Sequence, residues 1–343
     1  MNCQTAMNRA ENFREPISHM SLTPAPSTDE NIERAAGHLR AGRLVAFPTE
    51  TVYGLGADAR NGEAVAEIFA AKGRPAFNPL IIHVPDVETA RTWAELGALA
   101  ERLAAAFWPG GLTMVLNKRV GGELSELVSA GLPSIAVRVP AHPVALSLLR
   151  KANCPVAAPS ANRSGHVSAT TAAHVAADLD AAALAMILDD GPCAFGVEST
   201  IIDARGDAVQ LLRPGAVTIE ALAKVAGTVV KGASASSHGA MARSSPGQLE
   251  SHYAPAKPLM MNVTQPRPDQ ALLAFGALPE GYAGEVYNLS PSGNLTEAAA
   301  NLFAGLRRLD EATVKSIAAM PVPMDGLGLA INDRLKRAAA PRS

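Results

Sequence analysis

Apolar positions in this chain come in short blocks, and several of the segments between them repeat with a helical period. The first such segment follows Ser27. Ser27 and Glu30 have capping-box spacing, Ile32, Ala35, Ala36 and Leu39 fall on one face, and Gly42 suits a stop. The block 44–47 then reads as a buried strand closed by Pro48. Further strand-like blocks lie at 80–84, 112–116, 135–139, 156–158, 186–188 and 197–203, with helical patterns at 63–71, 87–107, 143–151 and 171–179. Strands interleaved with helices in this way predict an α/β domain ending near Arg213-Pro-Gly215 or the short helix beyond it.

The pattern lapses after Gly232, where Ser, Ala, Gly, His and Pro dominate as far as Pro258. A connection this long is flexible or functional, not mere spacing. A smaller α/β pattern follows, with strands at 271–275, 285–289 and 316–320 and helices at 296–309 and 327–338. The expected organisation is a loose tail over 1–26, a first domain over 27–231, a linker over 232–258 and a second domain over 259–343.

Composition narrows the class. The chain has 343 residues, 48% hydrophobic and 18% charged, which fits a well-buried globular enzyme and not a disordered chain. A formal net charge of −2 gives no global basic field for nucleic acid or membrane, so any polyanion must be held by a local cluster. Cys3, Cys154 and Cys193 form no CxxC pair and no zinc spacing, which points to a reduced, cytoplasmic setting. The N-terminus lacks an apolar run, and no segment approaches the roughly 18 apolar residues of a membrane span.

The common phosphate cradles and catalytic signatures, GxxxxGK[ST], GxGxxG, HExxH and GxSxG, are not present. Three clusters remain. Thr49, Glu50, Thr51 and Tyr53, followed by Gly54 and Gly56, stand after a buried strand, where α/β sheets hold ligands. An ordinary polar turn would look the same. Lys72-Gly-Arg-Pro75 places two cations at a helix end, with Asn78-Pro79 pinning the return. Helix-dipole compensation accounts for Lys72 but not for Arg74, and the pair suits a phosphate chain. His83 sits on a strand whose neighbours Ile82 and Val84 face the other way, the usual setting of a structural histidine. The third cluster, Ala158-Pro-Ser-Ala-Asn-Arg-Ser-Gly165 with His166 and Ser168, reads either as a nucleotide loop or as an Asx-type turn. Ser134, Arg138, Ser199, Thr200 and Arg213 are weak signals singly.

In order along the chain, Pro48–Gly56, Lys72–Pro75 with Asn78–His83, Pro159–Asn162, Glu198-Ser-Thr-Ile201 and Arg213–Gly215 resemble the YrdC/Sua5 family of threonylcarbamoyl-AMP synthases. Asn288–Gly293 and Ala330-Ile-Asn-Asp-Arg334 resemble its longer, Sua5-type branch. The resemblance implies a YrdC-like twisted mixed sheet with flanking helices and a smaller Rossmann-like C-terminal domain. It implies a nucleotidyltransferase that joins L-threonine and bicarbonate (or CO2) with ATP, for the N6-threonylcarbamoyladenosine modification of tRNA. Thr51, His83, Arg138, Ser199 and the backbone at Ala158 would hold threonine. Lys72, Arg74, Asn78, Ser134, Ser160, Ser168, Arg213 and Tyr253 would hold ATP, with Lys72 and Arg74 positioning it and no covalent nucleophile required. The resemblance makes the linker a lid carrying Tyr253, after Ser245-Pro-Gly247. The stretch Gln248-Leu-Glu-Ser251 departs from the family pattern. Mg²⁺ would arrive with ATP, and the product would pass to a tRNA-modifying machinery, with weak tRNA contact as a further expectation.

Two rivals stand beside this. An RNA-binding module would use Lys72, Arg74, Arg138, Arg163 and Arg213 as a basic face, although only 4% of residues are aromatic. Carbamoyl transfer from carbamoyl phosphate is the other, but its known carriers have acylphosphatase and zinc-finger regions that this chain lacks.

Overall fold

A computed structural model describes residues 22–75, 78–227, 231–232 and 252–341. Most of the proposed tail and linker therefore lies outside the described residues, including Ser245–Gly247 and Gln248–Ser251.

The strands are β1 Ala25–Pro26, β2 Val45–Phe47, β3 Gly54–Asp58, β4 Ile81–His83, β5 Ala94–Glu95, β6 Leu112–Lys118, β7 Ser134–Arg138, β8 Val156–Ala157, β9 Met186–Asp189, β10 Thr200–Asp203, β11 Gln210–Arg213 and β12 Lys231–Gly232, then β13 Leu259–Met260, β14 Gln270–Ala274, β15 Val286–Asn288 and β16 Ser316–Ala319. The helices are α1 Asp29–Arg40, α2 Gly62–Lys72, α3 Val87–Trp93, α4 Ala98–Phe107, α5 Glu126–Ser129, α6 Pro143–Ala152, α7 Ala172–Asp178, α8 Ile219–Ala226, α9 Leu295–Glu311 and α10 Gly328–Ala338.

Local chemistry sets most of these limits. Asn61, Asp86, Thr171, Thr218 and Asn294 each accept a backbone N–H at a helix start, satisfying donors the helix cannot. The cap of α1 is Thr28, whose hydroxyl accepts from Asn31 N, and not Ser27. Ser27 bonds Asp190 instead, while Ala25–Pro26 pairs with β9. The helical stretch 87–107 is not one helix. Ala94 is extended and pairs with Lys118 of β6, and Gly97 starts α4. The apolar period runs through this break and conceals it. The strand expected over 197–203 begins only at Thr200.

The first twelve strands form one mixed sheet in the order β1-β9-β2-β3-β8-β4-β7-β6-β10-β11-β12, with β5 on β6. Its main core gathers Leu55, Ile82, Met114, Val137 and Ile202 on one face against α2, α4 and α8. The opposite face carries a small apolar floor of Ile81, Val115, Ala136, Ile201 and Leu212. Because strand side chains alternate, His83 shares the face of Ile81, away from Ile82. Strand β3 was unexpected because Gly-Leu-Gly-Ala-Asp has little β propensity. Its glycines serve packing: a Cβ on Gly56 would lie 2.9 Å from both Phe47 and Val156.

β13–β16 form a second, all-parallel sheet in the order β13-β16-β14-β15, covered by α9 and α10. Its apolar core runs on into Val52, Val167 and Val197 of the first unit. At Gly196 a Cβ would stand 2.3 Å from the Ala300 carbonyl, so α9 presses directly on that loop.

Candidate active site

Parallel pairing of β4 with β7 sets His83 opposite Arg138 at their carboxyl ends. Beside them, Ser199 precedes β10 and Arg213 ends β11. The loop after β2 brings Thr49 and Thr51, and the loop after β8 brings Ala158 and Ser160. Together these groups line a cavity of about 50 Å³ on the floor face of the sheet, and His252 and Tyr253 complete its wall.

On one side the groups are fixed by neutral hydrogen bonds and one ion pair. Thr49 and Thr51 hydroxyls are 2.9 Å apart, and Ser199 Oγ is 2.8 Å from Thr113 Oγ1. Arg138 Nη2 donates to Glu50 Oε1 at 2.6 Å, and its Nε to the Gly110 carbonyl at 3.2 Å. Burial works against the Glu50 charge, but Arg138 outweighs it and keeps the carboxyl below its ordinary value. His83, edge-on to Phe47, is neutral: burial and then Arg138 hold it down to about 3. The Tyr53 hydroxyl points elsewhere, donating to the Gly191 carbonyl at 2.8 Å.

On the other side lie cations. Arg74 donates through Nη2 to the carbonyl of Pro79 at 3.1 Å and more weakly to that of Asn78. Burial lowers it to about 10. Arg213 donates to the carbonyl of Ser199 at 2.9 Å and to its hydroxyl at 3.2 Å. Lys72 does not line the cavity. Its ammonium bridges the carbonyls of Ser160 and Asn162, holding the β8 loop from behind. Burial, then Arg74, pushes it to about 7, while the two acceptors favour its charged form. Ser134, Ser168 and Asn78 are likewise buried and outside the lining. Ser168 Oγ donates to Glu198 at 2.6 Å.

Thus Thr51, Arg74, His83, Arg138, Ala158, Ser160, Ser199, Arg213 and Tyr253 converge, while Lys72, Asn78, Ser134 and Ser168 are buried but do not line the cavity. The basic face required by an RNA-binding module is not exposed. Lys72, Arg74, Arg138 and Arg213 are buried, and only Arg163 of that set is on the surface.

Three residues without an expected role complete the centre. Glu198 lines the cavity and is held at about 2, because Arg334 and Arg213 overcome the cost of its burial. His252 meets Tyr253 edge-on, their centroids 4.0 Å apart, and burial lowers it to about 3. Arg334, on α10, donates to Glu198 at 2.8 Å from the second unit. Its signal was in the sequence: Arg334 shares a helical face with Ile331, Leu335 and Ala338, and a charge on an apolar stripe demands a partner.

Tyr253 is inserted with φ 62°, stacked on Phe303 at 5.5 Å and under the Arg334 guanidinium at 5.3 Å. Among the described residues, buried polar atoms without a partner include Glu50 Oε2, Arg74 Nε, His83 Nδ1, His252 Nδ1 and Arg334 Nη2. Each belongs to a residue that lines the cavity or is bonded to one that does. Such unspent hydrogen-bonding capacity is what a polar ligand satisfies.

A chain with this sheet, this cleft and this appended parallel unit belongs to the Sua5/YciO/YrdC family, whose model, described as telomere recombination, matches residues 37–215. A second model, the threonylcarbamoyl-AMP synthase C-terminal domain, matches residues 217–340. The chain is 42% identical over 333 residues to the threonylcarbamoyl-AMP synthase of Bacillus subtilis, covering 92% of this chain and 95% of that one. It also matches the crystal structure of P. abyssi Sua5 complexed with L-threonine, at TM-score 0.82 and 39% identity, over 91% of this chain and 95% of that one. A P. abyssi Sua5 variant with consecutive His and Tyr both replaced by Ala superposes at TM-score 0.81 and 38% identity, over 91% and 93%.

Proposed function

We propose that this chain is a threonylcarbamoyl-AMP synthase, making threonylcarbamoyl-adenylate and pyrophosphate from L-threonine, bicarbonate (or CO2) and ATP. The observation that carries the reading is the meeting, in one buried cleft, of a corner whose one cation, Arg138, is paired with Glu50 and a wall carrying two further cations, Arg74 and Arg213. Thr51, His83, Arg138, Ser199 and the Ala158 backbone take threonine, with Arg138 suited to its carboxylate. Arg74, Ser160 and Arg213 take the nucleotide. Lys72, the Asn78 carbonyl and Ser168 hold groups at the cleft in place.

The chemistry needs no protein nucleophile. The threonine amine adds to bicarbonate with loss of water, or to CO2 with loss of a proton, giving a carbamate. A carbamate oxygen attacks the α-phosphorus, and the bond to the β-phosphate oxygen breaks to release pyrophosphate. Holding the reactants together contributes about 7–11 kcal/mol, and each preorganised donor on the developing charge about 3–4 kcal/mol. Among the described residues no three His, Cys, Asp or Glu side chains gather to bind a metal ion. Mg²⁺ would enter with the triphosphate of the substrate, the setting in which it is usually bound.

Residues 252–255 act as the inner end of a lid. A pocket for a ligand of nucleotide size spans roughly 300–1,000 Å³, far more than the 50 Å³ left beside Tyr253. In this reading Tyr253 withdraws for ATP to enter, and its return excludes the water that destroys carbamates and mixed anhydrides. No helix among the described residues is long and apolar enough to cross a membrane. The product would feed tRNA modification in the cytoplasm.

The test is incubation with ¹³C-bicarbonate, ATP and L-threonine followed by mass spectrometry. An adenylate with the label in its carbamoyl carbon is the expected product. Unlabelled threonyl-adenylate in its place would refute the reading.

A further inference from the structure

Arg334 is fully buried, where a guanidinium costs several kcal/mol unless it is paired. Two of its partners come from the other unit: Nε donates to Glu198 Oε2 and Nη1 to the Pro214 carbonyl, both at 2.8 Å. Nη1 also donates to Asp333 at 2.8 Å. Glu198 spends its second oxygen on Ser168 at 2.6 Å. It is adjacent in sequence to Ser199, whose carbonyl and hydroxyl hold Arg213, so two arginines and one carboxylate share this corner. Arg213 lines the cavity; Arg334 does not.

A buried carboxylate captures whichever cation is available, and an unneutralised one repels an incoming phosphate chain. We propose that Arg334 is a positioning residue for nucleotide binding. By occupying Glu198 from the C-terminal unit, it leaves Arg213 directed at the cleft and removes a negative charge from beside the phosphates. Nucleotide binding in the first unit thereby depends on the docking of the second. This rests on the reading of the cleft as an ATP site.

The experiment measures ATP binding by calorimetry, and KM for ATP and for threonine, in the full chain carrying Arg334→Met, Glu198→Gln, or both. Arg334→Met should weaken ATP binding tenfold or more while the threonine KM changes less than twofold. The double variant, which removes the carboxylate as well, should recover to within about threefold of Glu198→Gln. A residue that only supports the fold would shift both KM values together, and the double variant would be no better than Arg334→Met; that outcome overturns the proposal. Should Arg334→Met fail to fold, the comparison of the double variant with Glu198→Gln decides alone, a loss of tenfold or more again being contrary. Wild-type protein that binds no ATP would overturn the functional reading itself. Wild-type binding with the variants ranked otherwise would overturn only the positioning role.

Discussion

Lys72 and Arg74 are two residues apart and do different work. Arg74 faces the cavity, whereas the Lys72 ammonium is spent on the carbonyls of Ser160 and Asn162. Arg74→Ala is therefore expected to raise the ATP KM tenfold or more with the threonine KM nearly unchanged, measured by steady-state kinetics. Equal changes in both would contradict the assignment. Lys72→Ala strands two buried acceptors at about 1–3 kcal/mol each and loosens a loop that serves both substrates. It should lower stability by a few kcal/mol in denaturant melts and raise both KM values. The sequence made Lys72 and Arg74 look alike because both stand on one elbow. Which of them reaches inward depends on how the β8 loop folds behind α2, and spacing does not carry that information.

At the level of elements, most of the ordered motifs lie at a strand end or the turn beside it, while Lys72–Pro75 ends α2 and Ala330–Arg334 lies within α10. What escaped was pairing. The glycines after β2 stand where a ligand could bind, yet Gly56 is a strand residue wedged between Phe47 and Val156. Gly56→Val overpacks that contact and should cost about 1–3 kcal/mol or more, read from the denaturation midpoint; an unchanged midpoint would contradict it. The break at 94–97 escaped for a related reason: Ala94 leaves the helix to pair with β6, a long-range choice that local periodicity cannot announce. The long α9, with its unbroken apolar face and Asn294 cap, was legible almost to its ends.

The whole molecule stores buried charge and buried neutral histidine at the junction of its two units, which makes its stability depend on pH. Unfolded, His83 and His252 bind a proton below about 6.5; folded, both resist protonation until about 3. The unfolded state thus holds more protons across that window, and stability rises with pH from 3 to 6.5. Glu198 adds the same sign between about 2 and its ordinary 4.5. Chemical denaturation should show stability falling steadily from pH 6.5 to 4, with a shallower fall in His83→Gln. A flat profile would contradict the buried neutral assignment. The sequence showed that a second unit follows the first, and the resemblance implied a linker lid carrying Tyr253, but neither showed that Arg334 of the second unit pairs with Glu198 at the cleft.

The central claim is tested most directly by pyrophosphate release from ATP with substrates omitted one at a time. Release is predicted only when L-threonine and bicarbonate are both present, with L-serine a poor substitute. Release that ignores bicarbonate, or proceeds equally with L-serine, would contradict it.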